Sequence, residues 1–567
     1  MPQSSFKELP FKLNVGMDSY DTGIAEQTLK LQELKNLYPK DNRLFTQRKQ
    51  KLFQTITDND PRRIVSFAYY VLDDQPVISL YALGMDHLYQ WNTEDQTFNL
   101  MTATGGGTYT NDIRTYDPFA SMQWEGVVYV TRLRQEILKL QNNIVYDNID
   151  TTVAADTHNL TARYMINAAG HMMLGYTNEG DLNQAVKIRW SDLNAPEDFR
   201  STSLLGGESD SFEFPAENGF ISGLTSQRGF TNVYLFNSIW RGRYTPGRTI
   251  SGVLAPFTFD ELFPGLGAVY HYSVAQVKDV DYFIGQDNVY KLDGLNPVEI
   301  GDEIWNFFES SHNNLAFGDS VYAHVNERDN EISWLYATNI VGKTYWSIVY
   351  NYKEQKWSNR DPQNMFSAFR PSITLKSFYV IDDFDFATYG GIDTFDGESP
   401  AGGGETTTYI DGDWQFKILP FRGIFGGELT ADIEHGTIYE DVEEFAMFDD
   451  TAMACEFETY EFDVNSFFGT KEIDAMKLLI KKSGSPNITL NVSTRPNQDT
   501  AFTTSIDIDS SAQLAGATEF YFSNFGVDNF MKFKVSWNNT DANYIEEVYG
   551  IAFKVRTPIE DVEQVKQ

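Results

Sequence analysis

From His87 onward one local pattern recurs: a short alternating run of aromatic or β-branched residues, a polar turn, and a second alternating run. HLYQWNTEDQTFNLM begins at His87, VVYVTRLRQEILKLQ at Val127 and MMLGYTNEGDLNQAVKIRW at Met172. NVYLFNSIWRGRY follows at Asn232, DYFIGQDNVYKLDG at Asp281 and EISWLYATNIVGKTYWSIVYNY at Glu331, with a weaker copy near FYVIDDFDF at Phe378. Period-two alternation bounded by turn residues marks half-buried strands. One such hairpin has too little apolar face to be stable alone. Starts spaced roughly 40 to 60 residues apart suit four-stranded propeller blades, which stack around an axis and so protect their edges. Unrelated meanders in two β-sandwiches are the competing arrangement.

The expected fold is therefore all-β, a β-propeller of about six to eight blades with an additional C-terminal β-sandwich domain. The aromatic content, 42 Phe and 31 Tyr in 567 residues, suits pleated surfaces better than helix interiors. Residues 1–60 read as a lead-in segment. In it Leu29, Leu31, Leu34 and Leu37 permit a short helix that Pro39 would end. Residues 61–388 read as the propeller core. Residues 389–450 read as a Gly-rich and acidic connecting region, either a last blade or an insertion, from YGGIDTFDGESPAGGGETTT to EHGTIYEDVEEFAMFDD. Alternation resumes in FETYEFDV, AMKLLIKK, NITLNVSTR, EFYFSN, MKFKVSW and VYGIAFKV, which places the sandwich at 451–560, before a tail at 561–567.

Motifs that would carry chemistry are incomplete. Gly342, Lys343 and Thr344 would close a phosphate-binding loop, but Ala337 stands where that loop needs glycine, and YWSIVYNY after them alternates as a strand. The seven histidines, His87, His158, His171, His271, His312, His324 and His435, lack the close spacing of paired metal ligands. Cys455 is the single cysteine, so no intrachain disulfide can form, and its segment ACEFETYEF offers no basic partner to activate a thiolate. No GxSxG elbow is present. WSDLNAPEDF at Trp190 fails the sialidase aspartate box, because Leu193 and Ala195 occupy its required aspartate and glycine positions. Asp382, Asp383 and Asp385, or Asp393 and Asp396 beside Gly397, could offer hard oxygens to calcium but complete no binding loop. No catalytic, cofactor-binding or metal residue is assigned. MPQSSFKELPFKLNVGMDSYDTG lacks a signal-peptide layout, and no apolar run is long enough for a membrane helix, so folding in the cytosol without membrane insertion is expected.

Net charge is −36, from 44 Lys and Arg against 80 Asp and Glu. Such a chain cannot neutralise phosphates through a global basic field, which disfavours stable DNA binding. Acidity of this size confers solubility, or makes a surface that nucleic acid passes without adhering.

The blades resemble those of the tail nozzle, or packaged-DNA stabilisation, proteins of short-tailed bacteriophages, the tail tubular protein B-like family. The likeness rests on ARYMINAAGHMMLGY at Ala162, KIRWSDLNAPEDF at Lys187, TNVYLFNSIWRGRY at Thr231 and DYFIGQDNVYKLDGLNPVEIGDEIWNFF at Asp281, then EISWLYATN at Glu331 and IVYNYKEQKWS at Ile348. It covers about residues 30 to 370, with the C-terminal sandwich alike only in general character, lacking a glycine-arginine signature near its last strands. The resemblance implies a structural virion protein, not an enzyme, located in the virion tail after assembly in the host cytoplasm. It implies a hexameric ring of self-copies that extends the DNA channel below the adaptor and portal, with residues 1–60 available for adaptor contact. Tail fibres or receptor-binding proteins and passing double-stranded DNA, bound without sequence specificity, complete the implied partners. An acidic wall would repel DNA and lower sliding friction, leaving retention to constrictions such as the segment around Gly402 to Gly404. A carbohydrate-binding or glycoside-hydrolysing propeller is the alternative, since some propellers place carboxylates at their axis.

Overall fold

The alternating runs between residues 64 and 360 become six successive four-stranded antiparallel meanders in the computed structural model. The structure describes residues 7–11, most of 31–369 and most of 429–556. Residues 1–6, 12–30, 370–428 and 557–567 lie outside that description, as do shorter stretches such as 56–63, 107–117, 147–159, 312–320 and 460–470. Blade 1 comprises Ile64–Val71, Val77–Gly84, Leu88–Asn92 and Thr97–Leu100. Blade 2 comprises Ala120–Trp124, Val127–Arg132, Gln135–Gln141 and Ile144–Tyr146. In blade 3 the strands are Leu160–Ala168, His171–Glu179, Leu182–Trp190 and Asp210–Glu213. In blade 4 they are Ile221–Gln227, Phe230–Leu235, Ser238–Tyr244 and Phe257–Pro264. Blade 5 follows with Ala275–Val277, Val280–Ile284, Val289–Asp293 and Asn296–Glu299. Blade 6 has Val321–Asn326, Glu331–Asn339, Thr344–Asn351 and Lys356–Arg360.

A seventh blade is assembled from both ends of the chain. Met365–Phe369, Leu429–Asp432 and Thr437–Val442 supply three strands, and Lys49–Thr55 supplies the fourth. The last pairing is antiparallel, with Val442 opposite Lys49 and Thr437 opposite Thr55. Neighbouring blades meet through their first strands, except that the first strand of blade 4 lies against the second of blade 5. The first strand of blade 7 returns to that of blade 1. The ring is a closed seven-bladed propeller, within the six to eight expected, and its first strands surround the axis.

Blade 2 shows how the sequence pattern encodes stacking. Every residue of Val127–Arg132 is buried, although the strand alternates. Val128 and Val130 pack with Val65, Ala68 and Leu83 of blade 1, whereas Val127 and Tyr129 pack with Leu160, Ala162 and Leu174 of blade 3. Opposite faces of one strand thus serve two different interfaces, which is why VVYVTR reads as a continuous apolar run. Each buried aliphatic contributes about 1.5–3 kcal/mol relative to exposure.

The sandwich also draws on both ends. One sheet contains Lys7–Phe11, Leu37–Lys40, Arg43–Thr46, Tyr544–Arg556, Lys471–Ser483 and Gly516–Ser523, with Val527–Asp528 at one end. The other contains Leu31–Lys35, Met453–Thr459, Lys532–Asn539, Ile488–Ser493 and Thr504–Ile508. Between them lie Leu34, Phe457, Met476, Leu478, Ile480, Phe533, Val535, Trp537, Val548 and Ile551, buried in one core with residues of blades 5 and 6 such as Ile284, Trp334 and Trp357. Leu31–Lys35 joins the two bodies directly. It pairs with Met453–Thr459 on one side and, in parallel, with the last strand of blade 6 on the other, at Lys35 and Asn359.

The helix that Leu29, Leu31, Leu34 and Leu37 permit does not form over its described part. Leu31–Lys35 and Leu37–Lys40 are strands, and Leu29 lies outside the described residues. A register shift between Leu31 and Glu33 lets Leu31 and Leu34 enter the core together despite their odd spacing. Asn36, at φ 55°, then turns the chain so that Leu37 also enters that core. Spacing of three, read as helical, here records a bulge.

The closure of blade 7 can be tested by cross-linking. Gln50 faces Asp441 across the pair of strands. In the Gln50→Cys/Asp441→Cys variant a disulfide should form on oxidation and raise stability by about 2–4 kcal/mol. Non-reducing electrophoresis and thermal melts with and without reductant measure this, and a free pair of thiols after mild oxidation would contradict the register.

Candidate functional site

Buried polar chemistry concentrates where blades 3, 4 and 5 meet. Asp281, in the second strand of blade 5, is fully buried. An ionised carboxylate there must be satisfied by donors, and blade 4 provides most of them. Its Oδ2 accepts from Thr225 Oγ1 at 2.7 Å, Asn232 Nδ2 at 2.8 Å and Tyr234 OH at 2.7 Å, while Oδ1 accepts from Gln276 Nε2 at 2.9 Å. Arg241 extends the network: its Nε donates to Asn232 Oδ1 at 2.9 Å, and Nη2 donates to Gln227 Oε1 at 2.8 Å and to the Gly294 carbonyl at 2.7 Å. Gln227 Nε2 completes it through the carbonyls of Asp279 and Leu292. Burial, reinforced by the Asp281 carboxylate, holds the Tyr234 phenol well above its ordinary pKa, so it remains a donor. The arrangement locks two blades together and leaves Asp281 no lone pair directed at solvent.

Nearer the axis, Tyr164 OH and His271 Nδ1 lie 2.6 Å apart. Tyr164 is on the first strand of blade 3, and His271 stands in the segment entering blade 5. Phe220, Tyr176 and Tyr272 surround the imidazole, with ring centroids 4.4, 5.5 and 6.1 Å away. The Arg163 guanidinium lies 4.9 Å from the Tyr176 ring centroid, a cation–π contact. Burial, and secondarily the Arg163 charge, push His271 down to about 2. The ring is neutral and serves as a fixed hydrogen-bonding partner rather than a proton carrier at ordinary pH.

A third cluster joins blade 3 to blade 4. His171 is fully buried, its Nε2 3.3 Å from Glu208 Oε2, and Tyr244 OH donates to the same oxygen at 3.0 Å. Burial lowers the His171 pKa against the opposing influence of Glu208. Tyr244 and Phe257 flank the ring at 5.2 Å.

The residues weighed from sequence are scattered. Ser191 Oγ accepts from the Met172 amide, and Asp192 Oδ1 from the amides of Leu193 and Glu208, so WSDLNAPEDF is a hydrogen-bonded turn. Cys455 is buried in the sandwich core, far in sequence and fold from the histidine clusters. His87 and His324 are buried. His158, His312, His435, Gly342, Lys343, the aspartates 382, 383, 385, 393 and 396, Gly397 and Gly402 to Gly404 lie outside the described residues. Thr344 begins the third strand of blade 6, so a strand follows the GKT tripeptide. Asp281 was within view at the head of the DYFIG run, but nothing local distinguishes a buried aspartate whose donors lie about 50 residues away.

No family model matches this sequence, and no curated protein matches it. Among solved structures, the WD40 β-propeller domain of Doa1 is 8% identical, with 70% of this chain and 98% of that one covered and a TM-score of 0.36. YCF48 from Cyanidioschyzon merolae is 6% identical over 69% of this chain and 98% of that one, at a TM-score of 0.34. An exo-β-1,3-galactanase from Phanerochaete chrysosporium is 9% identical over 80% and 98%, at 0.23. Scores of this size decide nothing about function, and the propeller is identified by its own strand pairing.

The depressed histidine fixes a pH dependence. An unfolded histidine takes up its proton near pH 6.5, whereas folded His271 does so only near 2. Its contribution to stability is complete above about pH 6.5 and is lost as pH falls below that, by up to about 1.4 kcal/mol per pH unit. The His271→Gln variant should show a flatter decline in melting temperature between pH 7 and 4 than the unaltered protein. Equal slopes would contradict a buried neutral imidazole. Separately, Asp281→Ala should destabilise the propeller by about 3 kcal/mol or more in denaturant titrations, because four donors lose their acceptor together.

Proposed function

We propose that this chain is a structural virion protein of a bacteriophage tail, a ring subunit of the tail nozzle that extends the DNA channel, retains the packaged genome and permits its ejection. Its partners under this reading are further copies of itself in a hexameric ring, the adaptor and portal, tail fibres or receptor-binding proteins, and transiting double-stranded DNA.

Surface charge is the observation that carries the reading. Among the described residues four carboxylates are buried, and each is committed internally. Asp281 has its four donors, Glu331 pairs with Arg360, Glu458 with Lys532 and Glu547 with Arg43. The excess behind the net charge of −36 is therefore not spent in the described interior. A polyanion sliding along such a surface finds no dense array of cations to displace its counterions, and friction stays low. The order of the blade fragments from Ala162 to Ser358 supports the same reading. None of the three structures compared above is a tail protein, so they add nothing to it.

A glycoside hydrolase would need two carboxylates free to exchange protons about 5 to 9 Å apart across a substrate. Among the described residues the four buried carboxylates are committed to amides, hydroxyls and cations and form no such pair.

Mass photometry and negative-stain microscopy of the protein with isolated tail parts should show rings, and antibodies should find it in purified particles. A protein that stays monomeric and is absent from particles would sink the proposal. So would reproducible glycan turnover abolished by a single carboxylate substitution.

A further inference from the structure

Residues 238–258 contain Arg241, Arg243 and Arg248 and no Asp or Glu, within a chain carrying 80 acidic residues. They include the third strand of blade 4 and a hairpin prolonged beyond the blade, where Thr249–Ile250 pairs with Val253–Leu254. Thr245 N donates to the Pro256 carbonyl at 2.7 Å, Ala255 N to that of Arg248 at 2.8 Å, and Arg248 Nη1 to that of Ala255 at 3.0 Å. The projection is thus held in shape by its own hydrogen bonds. Ile250 near its tip is 53% exposed. Arg243 is exposed, and among the described residues neither it nor Arg248 meets a carboxylate.

The adjoining blade carries the opposite chemistry. Residues 286–290 and 297–303, at one end of that blade, hold Asp287, Glu299, Asp302 and Glu303 and no cation, whereas Asp293 at the other end pairs with Arg228. A cleft of about 580 Å³ opens there, walled by Leu266, Gln286, Asp287, Val298 and Glu299. Val298 in its wall is 53% exposed. That is a large apolar exposure beside acidic groups.

The projecting hairpin and the cleft face opposite ways. The third and fourth strands of blade 4 pair from Tyr244–Phe257 at the hairpin end to Ser238–Pro264 at the other. The cleft begins past that second end, where Gly265 N donates to the Asn237 carbonyl and Gln286 Nε2 to Asn237 Oδ1. Hairpin and cleft therefore sit at opposite ends of blade 4 and cannot meet within one copy. A surface and its complement placed this way generate a head-to-tail contact between copies.

We propose that the arginine hairpin of one copy docks into the acidic cleft of a second copy of this chain, with Ile250 against Val298, and Arg243 facing Glu299. The inference deepens the ring-subunit reading and rests on it only in requiring that copies associate.

Sedimentation velocity of the full chain across protein and salt concentration tests it. Association should weaken as salt rises, since the pairing charges are exposed. Arg243→Glu and Glu299→Arg should each weaken association at least about tenfold, and Ile250→Asp and Val298→Asp similarly. All four positions are exposed, so folding should be retained, with circular dichroism as the check. The double variant Arg243→Glu/Glu299→Arg, whose charges are exchanged, should associate again. Single variants that associate as the unaltered chain does would overturn this contact while leaving the ring reading intact. Loss of double-stranded DNA binding with association unchanged would assign the arginines to DNA and overturn it as well. An unaltered chain that remains monomeric even with isolated tail parts would remove the ring reading, and this contact with it.

Discussion

No blade can bury both of its faces or satisfy both of its edges by itself, and ring closure resolves the first problem for all seven at once. The closing step is the pairing of Lys49–Thr55 with Thr437–Val442. Without it, blade 7 has three strands and blades 1 and 6 each lose part of a neighbour. The apolar run of Val127–Arg132, divided between blades 1 and 3, has meaning only inside a closed stack. So does the Asp281 network, since a carboxylate satisfied from the next blade would be a severe liability if that blade moved away.

The sandwich is fused to this ring rather than tethered. Its strand Leu31–Lys35 continues the sheet of blade 6 into the sandwich, and one hydrophobic core runs through both. The outer edge of blade 6 is thereby covered. Backbone pairing and packed side chains thus tie the sandwich to the propeller.

Much of the propeller was legible because its signal is local. The runs at Val127, Met172, Asn232, Asp281 and Glu331 each fall on paired strands, since period-two burial and turn chemistry are written in neighbouring residues. What escaped depends on distant partners. Leu31 and Leu34 carry helical spacing, and only a bulge created by pairing with Met453–Thr459 shows why both are apolar. The fourth strand of blade 7 has nothing in its letters that points to residues 437–442. The polar clusters are similar: Asp281, His271 and His171 are ordinary residues in sequence, made distinctive by a neighbouring blade. Absence of a motif, by contrast, was easy to read, because incomplete spacing at Gly342 or Trp190 needs no tertiary context.

Having the fourth strand of blade 7 at residues 49–55 sets the order in which the protein can be completed. That strand's partner leaves the ribosome about 380 residues after it. At about 5–20 residues per second, the delay is roughly 20 to 80 seconds. Leu31–Lys35 and Arg43–Thr46 wait longer still for their sandwich partners, at residues 456–459 and 547–548. During that interval blades 1 to 6 can form one after another on the nascent chain, but the ring stays open and Lys49–Thr55 stays unpaired. Residues 437–556 supply partners for residues 7–55, so ring and sandwich are complete only once both stretches exist. A truncated product would therefore keep an open edge.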